Sequence, residues 1–253
     1  GVKTAADMKG KRVGMVVGSP AVNQSVLALI AFGGWTPNEV KVIEFASYGA
    51  MMKGVVNNEI DLFFASTISG QAKEIESSPR GVSWVPMPAA DKAGWARLQK
   101  VAPYFYPHKA TCGAGIAKGQ SVETSVYPYP IFMAYGTQDA NTIYALTSAM
   151  LTHYDDYKDA VPGVDGLEGK RQNLQWTMPY HPGAVRALKE AKLWTDAAQK
   201  HNDALMARQA TLANAWKDFM RTNPPEDREQ FRAAWMKARA AALTKAGMEL
   251  MVQ

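Results

Sequence analysis

Apolar positions fall in short runs through the first half of the chain, and the runs alternate between strand and helix periodicity. Arg12-Val-Gly-Met-Val-Val17 reads as a buried strand. Ser19-Pro20 then opens an apolar helical stretch that ends at Gly33-Gly34. Lys41-Val-Ile-Glu-Phe45 reads as a second strand, and Tyr48 to Asn57 as a short helix with Met51, Met52, Val55 and Val56 on its apolar face. Ile60-Asp-Leu-Phe-Phe-Ala65 and Gly81-Val-Ser-Trp-Val85 supply a third and a fourth strand. This β-α-β-α-β order predicts an α/β fold with a mostly parallel sheet and helices on its faces.

The pattern then loosens. A helix is expected over Pro88 to Lys100, followed by a proline- and glycine-rich stretch from Pro103 to Gly119. A further strand, Ser125 to Ala134, is irregular or an edge because it contains Pro128 and Pro130. A long helix follows from Thr137 to about Asp155, and Pro162 to Gly169 reads as a loop. Beyond Trp194 the character changes. Thr195 to Met220 is rich in Ala, Leu, Gln and Arg without Gly or Pro, and Asn223-Pro-Pro-Glu-Asp227 reads as the start of another helix, running to about Lys245. The carboxyl-terminal portion is thus expected to be a helical hairpin.

Composition narrows the class. Of 253 residues, 47% are hydrophobic and 20% charged, which is ordinary for a globular chain and excludes a disordered one. The longest apolar run, Val26 to Phe32, is too short to cross a bilayer, and no basic-then-apolar leader stands at Gly1. The single cysteine, Cys112, excludes an intrachain disulfide. A net charge of +5 favours anionic ligands. The cations are interleaved with acids and form no nucleic-acid footprint, so no nucleic-acid partner is expected.

Candidate chemistry gathers in two loops. Val17-Gly-Ser-Pro-Ala-Val-Asn-Gln24 lies where a strand turns into a helix. Ser19 can cap, Pro20 suits the first helical position, and the N–H groups of Ala21, Val22 and Asn23 would face outward as an anion site. Asn23 and Gln24 could add side-chain donors. The same segment also reads as a capped helix with no ligand. Ala65-Ser-Thr-Ile-Ser-Gly70 places the hydroxyls of Ser66, Thr67 and Ser69 at the carboxyl end of a parallel strand, where open α/β sheets bind ligands. It reads equally as a polar loop capping the next helix. Tyr104-Phe-Tyr106, with Tyr127 and Tyr129, could wall a pocket or pack a core.

Enzyme constellations are not found. His108, His153, His181 and His201 have no metal-binding companions, Gly113 to Ser121 lacks the ending of a phosphate loop, and no nucleophile elbow is present. No Asp, Glu, His or Lys lies in either candidate loop to serve as an acid or base. The expectation is a non-enzyme with no cofactor and no metal.

Several segments together resemble the TAXI family of TRAP-transporter solute receptors. They are Asp7-Met-Lys-Gly-Lys-Arg-Val13, Gly18-Ser-Pro20, Glu59-Ile-Asp-Leu-Phe-Phe-Ala65, Pro103-Tyr-Phe-Tyr106, Gly113-Ala-Gly-Ile116 and Pro179-Tyr-His-Pro-Gly-Ala184. The last is the most specific. The resemblance spans Gly1 to Trp194 in order and implies a two-lobed, class II periplasmic-binding-protein-like fold. It implies a periplasmic receptor that closes on a small organic anion (a carboxylate, keto acid or amino acid) and docks on TRAP membrane subunits without inserting in the membrane itself. Ser19, Asn23 and Gln24 would face the ligand from one loop and Ser66, Thr67 and Ser69 from the other, while His181 would fix a turn that starts the following helix.

On this resemblance, residues 1–124 form the second lobe, 125–194 the hinge return and remainder of the first lobe, and 195–253 a helical extension. The family's usual amino-terminal first-lobe segment has no counterpart in the sequence. Where the family has small residues after Gly-Ser-Pro, this chain has Ala21-Val-Asn-Gln24, which keeps backbone capture of a carboxylate and leaves the class of acid open. A ligand-sensing domain of a regulator, an enzyme on the same fold, and a helical interaction module built on Thr195 to Gln253 are the alternatives.

Overall fold

The computed structural model describes residues 2–128, 131–161 and 163–250. It is a mixed α/β structure, half of it helical. The chain divides into two compact units, one running to Tyr127 and the other beginning at Pro128.

In the first unit, β1 (Arg12–Val16) pairs in parallel with β2 (Lys41–Phe45), in a register that sets Val13 beside Val42 and Val16 beside Phe45. Helix α1 (Pro20–Phe32) connects them and α2 (Tyr48–Val56) follows β2. The chain then returns to the other side of β1, where Val13 bridges Leu62 in parallel. The order is therefore β2, β1, then segment 60–65. That segment reads in sequence as a full strand, yet among the described residues the bridge at Leu62 is its only one. Segment 81–85, expected as a fourth strand, is extended but joins no ladder.

After α3 (Gly70–Glu76) and α4 (Lys92–Val101), β3 (Tyr106–Ala110) pairs antiparallel with β4 (Val122–Val126). The sheets are thus one parallel and one antiparallel pair, not mostly parallel as the pattern suggests. β3 arises inside the proline- and glycine-rich stretch, where Pro107 is tolerated because one edge of the strand needs no N–H. The strand expected over Ser125 to Ala134 ends at Val126, and Tyr129 and Pro130 lie outside the described residues.

Three buried clusters fill this unit. One joins α1 to α4 through Ala28, Phe32, Trp95 and Leu98; one gathers Val16, Met51, Val55, Ile60 and Ile75; one holds Val13, Val26, Ile30 and Val40. At the amino end of β1, Arg12 grips Asp61 with two guanidinium bonds of 3.0 and 2.7 Å, and the Arg12 N–H adds a third at 3.0 Å. The Arg12 guanidinium holds the Asp61 carboxyl down to about 2.

The second unit is helical: α5 (Ala140–Thr152), the single turn α6 (Tyr154–Tyr157), α7 (Pro182–Glu190), α8 (Asp196–Met220) and α9 (Arg228–Lys245). A 3-10 turn, Val164–Leu167, stands where a loop is expected. Helix α7 packs tightly on α5 at Gly183, where a Cβ would come within 2.3 Å of the Ala140 carbonyl. His181 caps α7: its Nδ1 accepts the Gly183 N–H at 3.2 Å. This is the turn-setting role that the sequence motif implies. Helices α8 and α9 close as a hairpin on the rings of Trp216, Phe219, Phe231 and Trp235. Helix α9 begins later than expected. Asn223 takes a left-handed φ of 50°, and Asp227 accepts the N–H groups of Glu229 and Gln230 as the cap.

Candidate functional site

The order β2, β1, segment 60–65 makes the gap between β1 and that segment the point where successive connections leave in opposite directions. Open α/β sheets bind ligands at such a point, outside the carboxyl ends of the strands. Here the ladder across the gap is built and then stopped. Leu62 N–H reaches Arg12 C=O at 3.1 Å and Gly14 N–H reaches Leu62 C=O at 3.0 Å. A continued parallel ladder would join Phe64 N–H to Gly14 C=O, a bond not made among the described residues, and then Val16 N–H to Phe64 C=O, whose two groups are engaged elsewhere. Val16 N–H donates to Asn23 Oδ1 at 2.8 Å, and Asn23 Nδ2 donates back to Val16 C=O at 2.9 Å. Phe64 C=O accepts the Tyr48 hydroxyl at 3.1 Å. Asn23 thus acts as a surrogate strand for the end of β1. The two backbones part where Ser19 follows one and Ser66 the other.

The Asn23 side chain therefore braces the strand and does not project as a ligand donor. Its backbone N–H is engaged as well, to Ser19 C=O at 3.1 Å, because it is the first amide able to close a helical bond. The outward donors of α1 are then Ala21 and Val22 alone. Gln24 Nε2 donates to Val101 C=O at 2.6 Å, which ties α1 to the end of α4. Ser19 stands at the cap position with its hydroxyl making no capping bond.

In the second loop, Ser66 is exposed, and its carbonyl accepts the Ser69 N–H. The Ser69 hydroxyl caps α3 by accepting Ala72 N–H at 3.2 Å. Thr67 C=O accepts Ala114 N–H at 2.8 Å. Its partner strand of chain is pinned in turn: Gly115 N–H donates to Glu76 Oε1 at 2.7 Å and the Trp84 indole to Ala114 C=O at 2.7 Å. Gly113 is required here, with φ 119° and no room for a Cβ, which would lie 2.3 Å from the Thr67 oxygen. The glycine-rich stretch therefore positions the Ser66-Thr67 loop.

Aromatic rings stand at the same end of the sheet. Tyr127 packs edge-on against Tyr104 at 5.7 Å and Phe105 at 5.1 Å, and Phe64 meets Phe105 at 6.2 Å. Burial pushes the Tyr48 phenol up, and the neighbouring Tyr127 adds to it. Burial also raises Tyr104, partly offset by a hydrogen bond with Ser25 in α1. Val22 and Ala65 rest on one buried cluster together with Tyr48, so the structure brings the two loops to the same end of β1.

Ser47-Tyr48-Gly49, which has no special mark in the sequence, repeats after β2 the strand-to-helix turn of Ser19, and here Ser47 Oγ does cap, accepting Ala50 N–H at 3.2 Å. A separate concavity of about 430 Å³, lined by Pro86, Lys109, Ser121, Val122 and Glu123, shares none of these residues. Among the described residues no cluster of His, Cys, Asp and Glu is arranged to hold a metal, and no helix is long and apolar enough to cross a membrane.

A search of curated proteins finds no match to the chain. The model of the NMT1-like family matches residues 1–191, a span that takes in the stopped ladder, both loops and the His181 turn. The chain belongs to the NMT1-like family, a family of periplasmic substrate-binding proteins.

Proposed function

We propose that the protein is a periplasmic solute receptor that binds a small organic anion at the parted end of β1 and delivers it to a TRAP-type membrane transporter. The observation that carries this reading is the stopped ladder between Val16 and Phe64, in a chain of a substrate-binding family. The Ala21 and Val22 N–H groups stand at the positive end of α1, and in this reading they face the hydroxyls of the next loop. In this reading Ser19, Ala21 and Val22 hold a carboxylate, and Ser66 and Thr67 meet its other end. Ser69 and Gln24 fix the two loops, Asn23 holds the gap open, and Tyr127 walls it.

The fold is read as the two-lobed class II type, with the lobes and the carboxyl-terminal extension divided at residues 124 and 194. The ligand is bound without turnover, since neither loop carries a group that could transfer a proton. Native mass spectrometry of the purified protein tests the reading. A small anion that leaves on denaturation, and whose retention is lost in Ser66→Trp, supports it. A retained molecule unaffected by Ser66→Trp removes the site from this loop.

A further inference from the structure

The parted end of β1 is set apart by what its segments lack. Residues 17–24 follow β1, 46–52 follow β2, and 65–72 follow the segment bridged at Leu62. Three further segments are tied to these. Gln24 Nε2 donates to Val101 C=O and Tyr104 hydrogen-bonds with Ser25, so 101–107 lies on the first turns of α1. Thr67 C=O accepts the Ala114 N–H, which brings in 112–117. Tyr127 packs on Tyr104 and Phe105, which brings in 124–127. None of the six segments contains Asp, Glu, Lys, Arg or His, in a chain that is 20% charged. Glu76 touches them from outside, and its Oε1 is taken by the Gly115 N–H.

The phenols report the same surroundings. Burial raises both Tyr48 and Tyr104, and the further contributions come from Tyr127 and Ser25, with no charged side chain among them. A ligand held here is therefore offered a counterpart for one charge only. The amino end of α1, with its Ala21 and Val22 N–H groups, supplies roughly half a positive charge, which suits a single carboxylate. A second carboxylate, or an ammonium, would leave water with nothing of opposite sign to meet it, at a cost that an apolar group does not incur.

We infer that the ligand is a monocarboxylate whose body carries no other charge, so that amino acids and dicarboxylates are refused. This rests on the anion site proposed between the two loops. Isothermal titration calorimetry of the full chain with butyrate, succinate and 4-aminobutyrate tests it, since the last two differ from the first only by a charged group at the far end. Butyrate is expected to bind about thirtyfold more tightly than either, or better. Succinate or 4-aminobutyrate binding as tightly as butyrate overturns the inference and leaves the anion site standing. Saturation by none of the three removes the site itself, and the inference with it. Ser66→Lys then sets a cation where the ligand's other end is placed. It is expected to raise the affinity for succinate relative to butyrate about tenfold. A ratio that Ser66→Lys leaves unmoved overturns the inference.

Discussion

The two units of this chain are built to different standards of burial. Up to Tyr127, three clusters of fully buried side chains fix the parallel strands and their helices. Beyond it, the buried apolar side chains among the described residues are Ala187, Leu188, Ala198, Leu205, Phe219 and Leu243, and α5 buries none. The second unit is held pairwise instead. Gly183 lets α7 touch α5, Arg186 stacks 3.7 Å over the Tyr144 ring while Tyr144 reaches Glu190, and four rings join α8 to α9. The difference teaches where rigidity and where exposure lie. The candidate ligand loops stand on the saturated unit, as a preformed anion site requires, and the exposed apolar surface stands on the sparse one.

Substitutions can break that comparison. Leu98→Ala, fully buried in the first unit, is expected to cost about 3 kcal/mol in chemical denaturation, within the range for buried Leu truncations. Asn23→Leu removes both bonds to Val16 and leaves a strand N–H unpaired, for about 2–3 kcal/mol, and weakens anion binding through the loop it braces. A variant of wild-type stability would remove Asn23 from its bracing role.

The Arg12–Asp61 ion pair at the amino end of β1 gives a pH signature. Asp61 is held at about 2 by Arg12, below its unfolded value of 3.8. Its contribution is therefore present above pH 4 and lost as pH falls through about 2. After screening it is worth about 1–2 kcal/mol. Denaturation midpoints of wild type and Asp61→Asn should converge toward pH 2; curves that stay parallel would contradict the assignment. In the second unit, His181→Ala loses the α7 cap for about 1 kcal/mol, and His181→Asn recovers most of it. Leu146→Ala, 49% exposed on α5, changes stability by less than about 0.5 kcal/mol.

Much of the first unit is legible in the sequence. Runs of Val, Ile and Met mark β1 and β2, and Ser19-Pro20 marks the start of α1, because these signals are local. The third strand is not legible. Ile60-Asp-Leu-Phe-Phe-Ala65 has every local mark of a strand, yet its ladder ends at Leu62, and Asn23 and Tyr48 hold the Val16 donor and the Phe64 acceptor further along. Neither contact has a sequence period. The same event decides the candidate site, so the loops at Ser19 and Ser66 could be named from sequence while the reason they part could not. The start of α9 differs from the sequence expectation for a smaller reason. Asn223 and Asp227 are both good caps, and only the backbone shows that Asp227 takes the amides.

The most direct test of the central claim is amide NMR of the full chain titrated with acetate, pyruvate and glutamate. The account predicts that at least one of these anions saturates, with its largest shifts at Ala21, Val22, Ser66 and Thr67. Saturable shifts confined to other residues, or no saturation with any of the three, would contradict an anion site at the parted end of β1.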